Sequence, residues 1–214
     1  MADPISRLRA WIRAASRAGA PAPDAMVLAT VDRHARPSAR YVLLKEAGPR
    51  GLVFYTNANS RKGLEMSTND RVAIVFYWDV TGRQVRVEGK VKVLPAAEAD
   101  AYWQERPLGS RYASAASDQS RPISSRKELL RRYAALQLEF PDGTIPRPSH
   151  WKGYLVVPES IEFWTRAEPR LHKRELFTRV RSGRTAAQRT SASNTRRRAK
   201  AADDVVWKAE ILQP

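Results

Sequence analysis

The sharpest chemical pattern in this sequence is Arg170-Leu-His172-Lys-Arg174. Read as a strand, the segment projects Arg170, His172 and Arg174 to one face. Three cations side by side repel unless an anion neutralises them. Trp164, six residues upstream, offers a flat surface for stacking. The same charges would equally suit an edge strand protected against aggregation.

A second group is Phe54-Tyr55-Thr56-Asn57 followed by Ser60-Arg61-Lys62-Gly63. A strand leading into a helix whose first turn carries free N–H groups, a Ser hydroxyl and two cations makes a phosphate cradle. Arg61 and Lys62 oppose the helix dipole, a penalty that a bound phosphate would reverse. A solvated loop with chance charges is the plain alternative. Tyr102 and Arg106, four apart on a helix that Pro107 ends, form a third group with Ser110 just beyond. They suit a phosphate, or a cation–π pair on a surface helix. Arg40 and Lys45 lie in the apolar run Arg40-Tyr-Val-Leu-Leu-Lys45, where an unpaired cation is costly unless it reaches out at a strand end. Gln84, Arg86 and Glu88 share one strand face, and the Gln84 amide could meet a heterocycle edge.

These residues need positioning elements, and the hydrophobic periodicity supplies them. Ile5 to Ala18 reads as an amphipathic helix, stopped by Ala20-Pro21-Ala22-Pro23. Strands are expected at Met26–Val31, Ala39–Lys45, Leu52–Thr56, Arg71–Trp78 and Gln84–Leu94, then at Gly153–Val157, Ser160–Arg166, Arg174–Val180 and Val205–Leu212. Helices are expected from the Ser60 cap to Thr68, from Pro95 to Arg106 and from Ser125 to Phe140. Sequential strands with a few interposed helices imply one mainly β domain over residues 1–214, an antiparallel sheet closed or nearly closed as a barrel.

Composition narrows the function classes. The absence of cysteine removes disulfides, thiolate metal sites and cysteine nucleophiles, and suits a reducing cytoplasm. The three histidines are too scattered to suggest a metal site, and neither a G-x-G nor a G-x-S-x-G motif occurs. No apolar run reaches the roughly 18 residues of a membrane span, and the start lacks the apolar core of a secretory signal. Of the formal net charge of +16, eight cations unopposed by any acid lie between Arg179 and Lys200. The remainder suits a protein that binds small phosphorylated molecules and needs no nucleic-acid footprint. Residues 181–202 are expected to be a disordered, Arg-rich insertion between the last two strands.

In order and spacing, Arg40-x-Val-Leu-Leu-Lys45, Phe54-Tyr-Thr-Asn-x-x-Ser-Arg-Lys62, Arg83-Gln-Val85, Tyr102-x-x-x-Arg106-Pro107, Gln119-Ser120, Ile161-Glu-Phe-Trp164 and Arg170-Leu-His172 resemble the pyridoxamine 5′-phosphate oxidase family. The likeness runs from about Asp3 to Arg179 and resumes from Val206 to Pro214. It implies an FMN-binding split β-barrel, antiparallel and Greek-key-like with peripheral helices, in a homodimer with flavin at the interface. It further implies FMN contacts at Arg40, Lys45, Tyr55, Thr56, Arg61, Lys62, Gln84, Gln119, Ser120, Trp164 and Arg174. Lys45, Tyr102, Arg106 and Ser110 would grip the substrate phosphate, with Arg170 and His172 as the catalytic pair over the pyridine ring. The implied reaction oxidises pyridoxine or pyridoxamine 5′-phosphate to pyridoxal 5′-phosphate, with O2 as acceptor and H2O2 as by-product. Lys173 stands where the family has an acid, and the tract Ser110 to Asp118 lacks the family's Gly-Ala-Trp. Two alternatives remain: an FMN oxidase of the same fold acting on another ring, and a non-catalytic flavin- or nucleic-acid-binding module.

Overall fold

The computed structural model describes residues 3–181 and 205–214. The insertion expected at 181–202 lies outside the described residues, except for Arg181 at the end of a strand. Five α-helices and nine strands are present among the described residues. The strands are β1 (Ala25–Val31), β2 (Pro37–Leu43), β3 (Glu46–Gly48), β4 (Gly51–Asn57), β5 (Arg71–Trp78), β6 (Arg83–Val93), β7 (Trp151–Thr165), β8 (Lys173–Arg181) and β9 (Val205–Leu212). The helices are α1 (Pro4–Arg17), α2 (Arg61–Thr68), α3 (Ala96–Glu105), α4 (Leu108–Ala116) and α5 (Arg126–Glu139). No helix among the described residues is long and apolar enough to cross a membrane.

All nine strands join one antiparallel sheet in the order β2-β1-β5-β6-β7-β4-β3, with β8 and β9 added beyond β7. The sheet curls into a half-barrel, which bears out the mainly β, barrel-like expectation. Its hinge is β7. Residues 154–158 and 160–165 pair with β6 on one side. On the other side, 151–156 pair with β4 and 160–165 with β8. The sequence reading divides this segment into two strands at Pro158. The structure keeps one, because Pro158 sits where the β6 register shifts between Glu88 and Gly89 and a bulge absorbs the missing donor.

Alternating residues fill the inside of the curl: Met26 and Leu28 on β1, Val72, Ile74, Phe76 and Trp78 on β5, and Val85 and Val87 on β6. Helix α1 covers this core. Asp3 caps it by accepting from the N–H groups of Ile5 and Ser6, and Ile5, Leu8, Trp11 and Ala15 are its buried stripe. Trp11 meets Phe163 edge to face at 5.0 Å. A smaller cluster of Ala99, Trp103, Tyr112, Ile145 and Trp151 lies where α3 and α4 meet the start of β7.

The strand and helix bounds expected from periodicity match within two residues. The exceptions are β3, a three-residue strand too short to show a period, and α4. Pro107 ends α3 and directly precedes α4, so one proline both stops one helix and starts the next.

Candidate functional site

The Ser60 hydroxyl caps α2 as expected, accepting from the Gly63 N–H at 3.4 Å. The Lys62 side chain folds back over that cap. Its Nζ donates to Ser60 Oγ at 2.9 Å and to Gln119 Oε1 at 2.9 Å. Thr56 at the end of β4 reaches the same Gln119 oxygen at 3.4 Å. Lys62 is only 6% exposed, and no carboxylate of the described residues lies within ion-pair distance of it. Burial, aided by the charge of Arg40, pulls its ammonium down to about 8. A buried ammonium with one N–H to spare and no counter-ion is a place for an anion.

Arg40 and Arg61 sit beside this group but face a different partner. Glu65, 5% exposed on α2, accepts from Arg61 Nε at 2.9 Å, Arg40 Nη2 at 3.2 Å, Ser38 Oγ at 2.7 Å and Thr30 Oγ1. Burial alone would raise its carboxyl. Hydrogen bonds from Thr30, Ser38 and Arg61, with the charge of Arg40, hold it at about 2. Glu65 is absent from the sequence reading, although its spacing of four from Arg61 is the signal that finds it.

Next to Gln119 opens a cleft of about 340 Å³, whose walls include Tyr55, Thr56, Arg106, Ser110, Gln119 and Trp151. Tyr55 stacks on Tyr102 at 4.1 Å and on Trp151 at 5.1 Å, with interplanar angles of 15° and 8°. Gly153, opposite Tyr55 in the β4–β7 ladder, makes room for that ring, since a Cβ there would stand 2.8 Å from Tyr55 Cε1. The Arg106 guanidinium lies over Trp151, 4.9 Å from the ring centre. Its Nη2 donates to Ser114 Oγ at 3.2 Å and weakly to the Ser110 carbonyl at 3.4 Å. Its Nε is buried without an acceptor among the described residues, and burial lowers the pKa of the side chain. Trp151 and Ser114 are further members of this group that the sequence reading does not contain.

The third set gathers at the far end of β7. Trp164 meets His172 at a centroid distance of 4.6 Å and a tilt of 46°. Gln84 is the cross-strand neighbour of Trp164. Arg170, His172 and Arg174 do not share one strand face, because β8 begins only at Lys173. Arg170 lies in the preceding turn with φ of 82°, its N–H donating to the Ala167 carbonyl at 3.1 Å. His172 Nδ1 accepts from the Ala167 N–H at 3.2 Å, which leaves the proton of a neutral ring on Nε2. Glu162 neutralises Arg174, accepting from Nε at 2.8 Å and Nη2 at 3.2 Å, and also holds Arg86 at 3.2 Å. Lys173 points to Glu175 at 3.3 Å, the carboxylate that also takes Arg7 at 2.6 Å, so its charge is spent away from Glu162 and Arg174.

Two expected members join none of these three groups. Lys45 falls between β2 and β3 and pairs with Asp24 at 3.5 Å. Ser120, next to Gln119, is exposed and left-handed, with φ of 72°.

Comparison with known proteins gives the family. Residues 12–139 match the model described as pyridoxamine 5′-phosphate oxidase. Residues 151–214 match the pyridoxine 5′-phosphate oxidase C-terminal dimerisation region, which supports a homodimer. The pyridoxine/pyridoxamine 5′-phosphate oxidase of Novosphingobium aromaticivorans is 49% identical over 176 residues, covering 82% of this chain and 87% of that protein. The one from Rubrobacter xylanophilus is 50% identical over 181 residues, covering 85% and 83%. Among solved structures, PhzG from Burkholderia lata, in complex with tetrahydrophenazine-1-carboxylic acid, superposes with a TM-score of 0.84. It is 29% identical, and the match covers 100% of this chain and 94% of that one. A pyridoxamine 5′-phosphate oxidase-related, FMN-binding protein of Nostoc punctiforme has a TM-score of 0.72 at 20% identity, with both chains covered in full, and shares the fold.

Proposed function

This chain belongs to the pyridoxamine 5′-phosphate oxidase family, and we propose that it oxidises pyridoxamine or pyridoxine 5′-phosphate to pyridoxal 5′-phosphate, with FMN as cofactor. The observation that carries the reading is a pair of cations, Lys62 and Arg106, linked through Gln119 and one cleft. Neither has a carboxylate within ion-pair distance among the described residues. Two separate anion seats suit the two phosphates of a mononucleotide cofactor and a phosphorylated substrate.

FMN, when bound, supplies the two-electron acceptor that takes hydride from the C4′ carbon and passes the electrons to O2 as H2O2. The residues around it bind and orient. Lys62, Ser60, Thr56 and Gln119 would hold the cofactor phosphate, with Arg61 and Arg40 kept adjacent by Glu65. Arg106 and Ser110 would hold the substrate phosphate, beside Tyr102 and with Lys45 as an outlying cation. Trp164, Gln84, Arg174 and Ser120 complete the cofactor set, and Arg170 and His172 would face the pyridine ring. His172, with its proton on Nε2, can donate a hydrogen bond to the ring substituents. With pyridoxamine phosphate, water then hydrolyses the imine to the aldehyde and ammonia.

Trp151 and Trp164 are 13 residues apart on β7, a run of about 43 Å at strand rise. The Lys62–Arg106 half and the Trp164–His172 half therefore gather at opposite ends of β7. A twofold axis would bring one half of each chain to each flavin, which gives the dimer its catalytic reason. A cysteine-free chain suits the reducing cytoplasm, where we place the reaction.

The likeness to PhzG favours one second reading, oxidation of a larger carboxylated ring. The assay is H2O2 release by the purified protein with pyridoxine phosphate, pyridoxamine phosphate and a non-phosphorylated ring carboxylate. Turnover of the phosphorylated pyridines supports the proposal. Turnover of the carboxylate alone selects the second reading, and a colourless protein that FMN does not reconstitute overturns both.

A further inference from the structure

Ser114 stands four residues after Ser110 on α4, so both hydroxyls lie on the face that lines the cleft. Two kinds of contact hold the Arg106 guanidinium there. Trp151 keeps the charge over its ring, but a cation–π contact does not fix how the guanidinium is turned. A hydrogen bond does, because it is directional, and the shorter of the two bonds from Nη2 goes to Ser114 Oγ, at 3.2 Å.

We propose that Ser114 is a positioning residue that sets substrate affinity by orienting Arg106 toward the substrate phosphate. The proposal rests on the oxidase reading above. With Nη2 committed to Ser114 and the Ser110 carbonyl, Nε is the buried donor left without an acceptor among the described residues. A phosphate oxygen in the cleft would fill that vacant bond. The Ser114 hydroxyl, accepting from Arg106, also retains its own hydrogen to donate. Without Ser114 the guanidinium would keep its charge and its ring contact but lose its preferred rotation. The phosphate would then have to order it on each binding event.

The test is steady-state kinetics of the flavin-loaded dimer with pyridoxine 5′-phosphate, and with inorganic phosphate as a competing anion. Ser114→Ala should raise KM and the inhibition constant for phosphate together, by roughly three- to tenfold, the net worth of a typical intramolecular hydrogen bond. Its kcat and flavin content should stay at wild-type values. Ser114→Thr, which restores the hydroxyl, should return both constants to about the wild-type level, as a simple volume effect would not. Ser114→Cys, close in size but a weak acceptor, should behave like Ala and guards against a packing defect. Unchanged KM and phosphate inhibition in the Ala and Cys variants overturn the proposal. So does loss of flavin in proportion to activity, which would mark Ser114 as merely structural. If the wild type turns over neither phosphorylated pyridine, the oxidase reading fails on its own. Calorimetric binding of inorganic phosphate to wild type and Ser114→Ala then decides the role of Ser114 separately.

Discussion

Lys62 Nζ donates to Gln119 Oε1 at 2.9 Å, joining the first turn of α2 to the turn after α4 across 57 residues of sequence. That contact ties the anion seat at the head of α2 to the cleft beneath Arg106, because Gln119 and Thr56 belong to both. A side-chain amide accepting from an ammonium satisfies one N–H without cancelling the charge. Lys62 is thus held in place and still wants an anion.

Flavin affinity should therefore depend on pH. The Lys62 pKa is lowered to about 8, so the free protein loses this charge as pH rises through 8. A bound phosphate favours the charged form and raises that pKa, so binding takes up a proton above pH 8. The FMN dissociation constant should be nearly flat between about pH 7 and 7.5, then weaken toward tenfold per pH unit above about 8. Fluorescence titration of the flavin-free protein measures it. Lys62→Met should bind weakly and without that slope; a slope surviving in Lys62→Met would assign it to another group.

Glu65 should matter most for stability. Glu65→Ala leaves the half-buried Arg40 and the exposed Arg61 without their shared carboxylate, and losing hydrogen bonds to a charged group typically costs about 1.5–3 kcal/mol. Urea unfolding should show that loss, with a milder one for Glu65→Gln, which keeps an acceptor. Its folded pKa, about 2, is depressed, so its contribution is complete above the usual carboxylate range and fades as pH falls toward 2. Wild-type acid stability in Glu65→Gln would contradict this.

Gly153 should be intolerant of a side chain. A Cβ would stand 2.8 Å from Tyr55 Cε1 and 2.9 Å from Leu94 Cδ1, forcing Tyr55 out of its stack with Tyr102 and Trp151. Gly153→Ala should cost about 1–3 kcal/mol, as overpacking does, and should raise the KM for pyridoxine phosphate. Intact kinetics at full stability would show that the ring stack can move without cost.

What was legible in the sequence was what local chemistry writes there. The Ser60 cap, the alternation along β5 and the helical stripe of α1 are each set by residues near in sequence, and each formed as expected. Arg61 and Arg174 show the limit. Both stood out as cations awaiting an anion, yet Glu65 and Glu162 are their immediate partners. A carboxylate four residues on, or across a strand ladder, becomes visible only once helix and register are known. Ser114 and Trp151 were missed for the same reason: their role depends on Arg106 reaching them across α4 and β7.

Arg170 and His172 should act after flavin is bound. Arg170→Ala and His172→Ala should each lower the turnover of pyridoxine phosphate while leaving the flavin spectrum and content normal. Neither side chain contacts the Lys62 group in the protomer. Rapid-mixing measurement of flavin reduction would locate the defect in the step that consumes substrate. Wild-type turnover in both variants would remove the pair from the site.

The dimer supplies the most demanding test, because it separates the two halves genetically. Lys62→Ala should damage one half of each site and His172→Ala the other, and each homodimer should be nearly inactive. In a mixed dimer, one site collects both defects and the other collects neither. If each site takes the Lys62 half from one chain and the His172 half from its partner, mixing two inactive proteins creates active enzyme. Random reassociation makes about half the dimers mixed with one good site of two, so activity should recover to roughly a quarter of wild type. Co-expression with two affinity tags would purify the mixed dimer, for which roughly half of wild-type activity is expected on the same symmetry. If both halves instead came from one chain, each protomer of the mixed dimer would carry its own defect and nothing would be regained. Recovery requires the residues at the two ends of β7 to serve different flavins, whereas an inactive mixed dimer would confine each site to a single protomer.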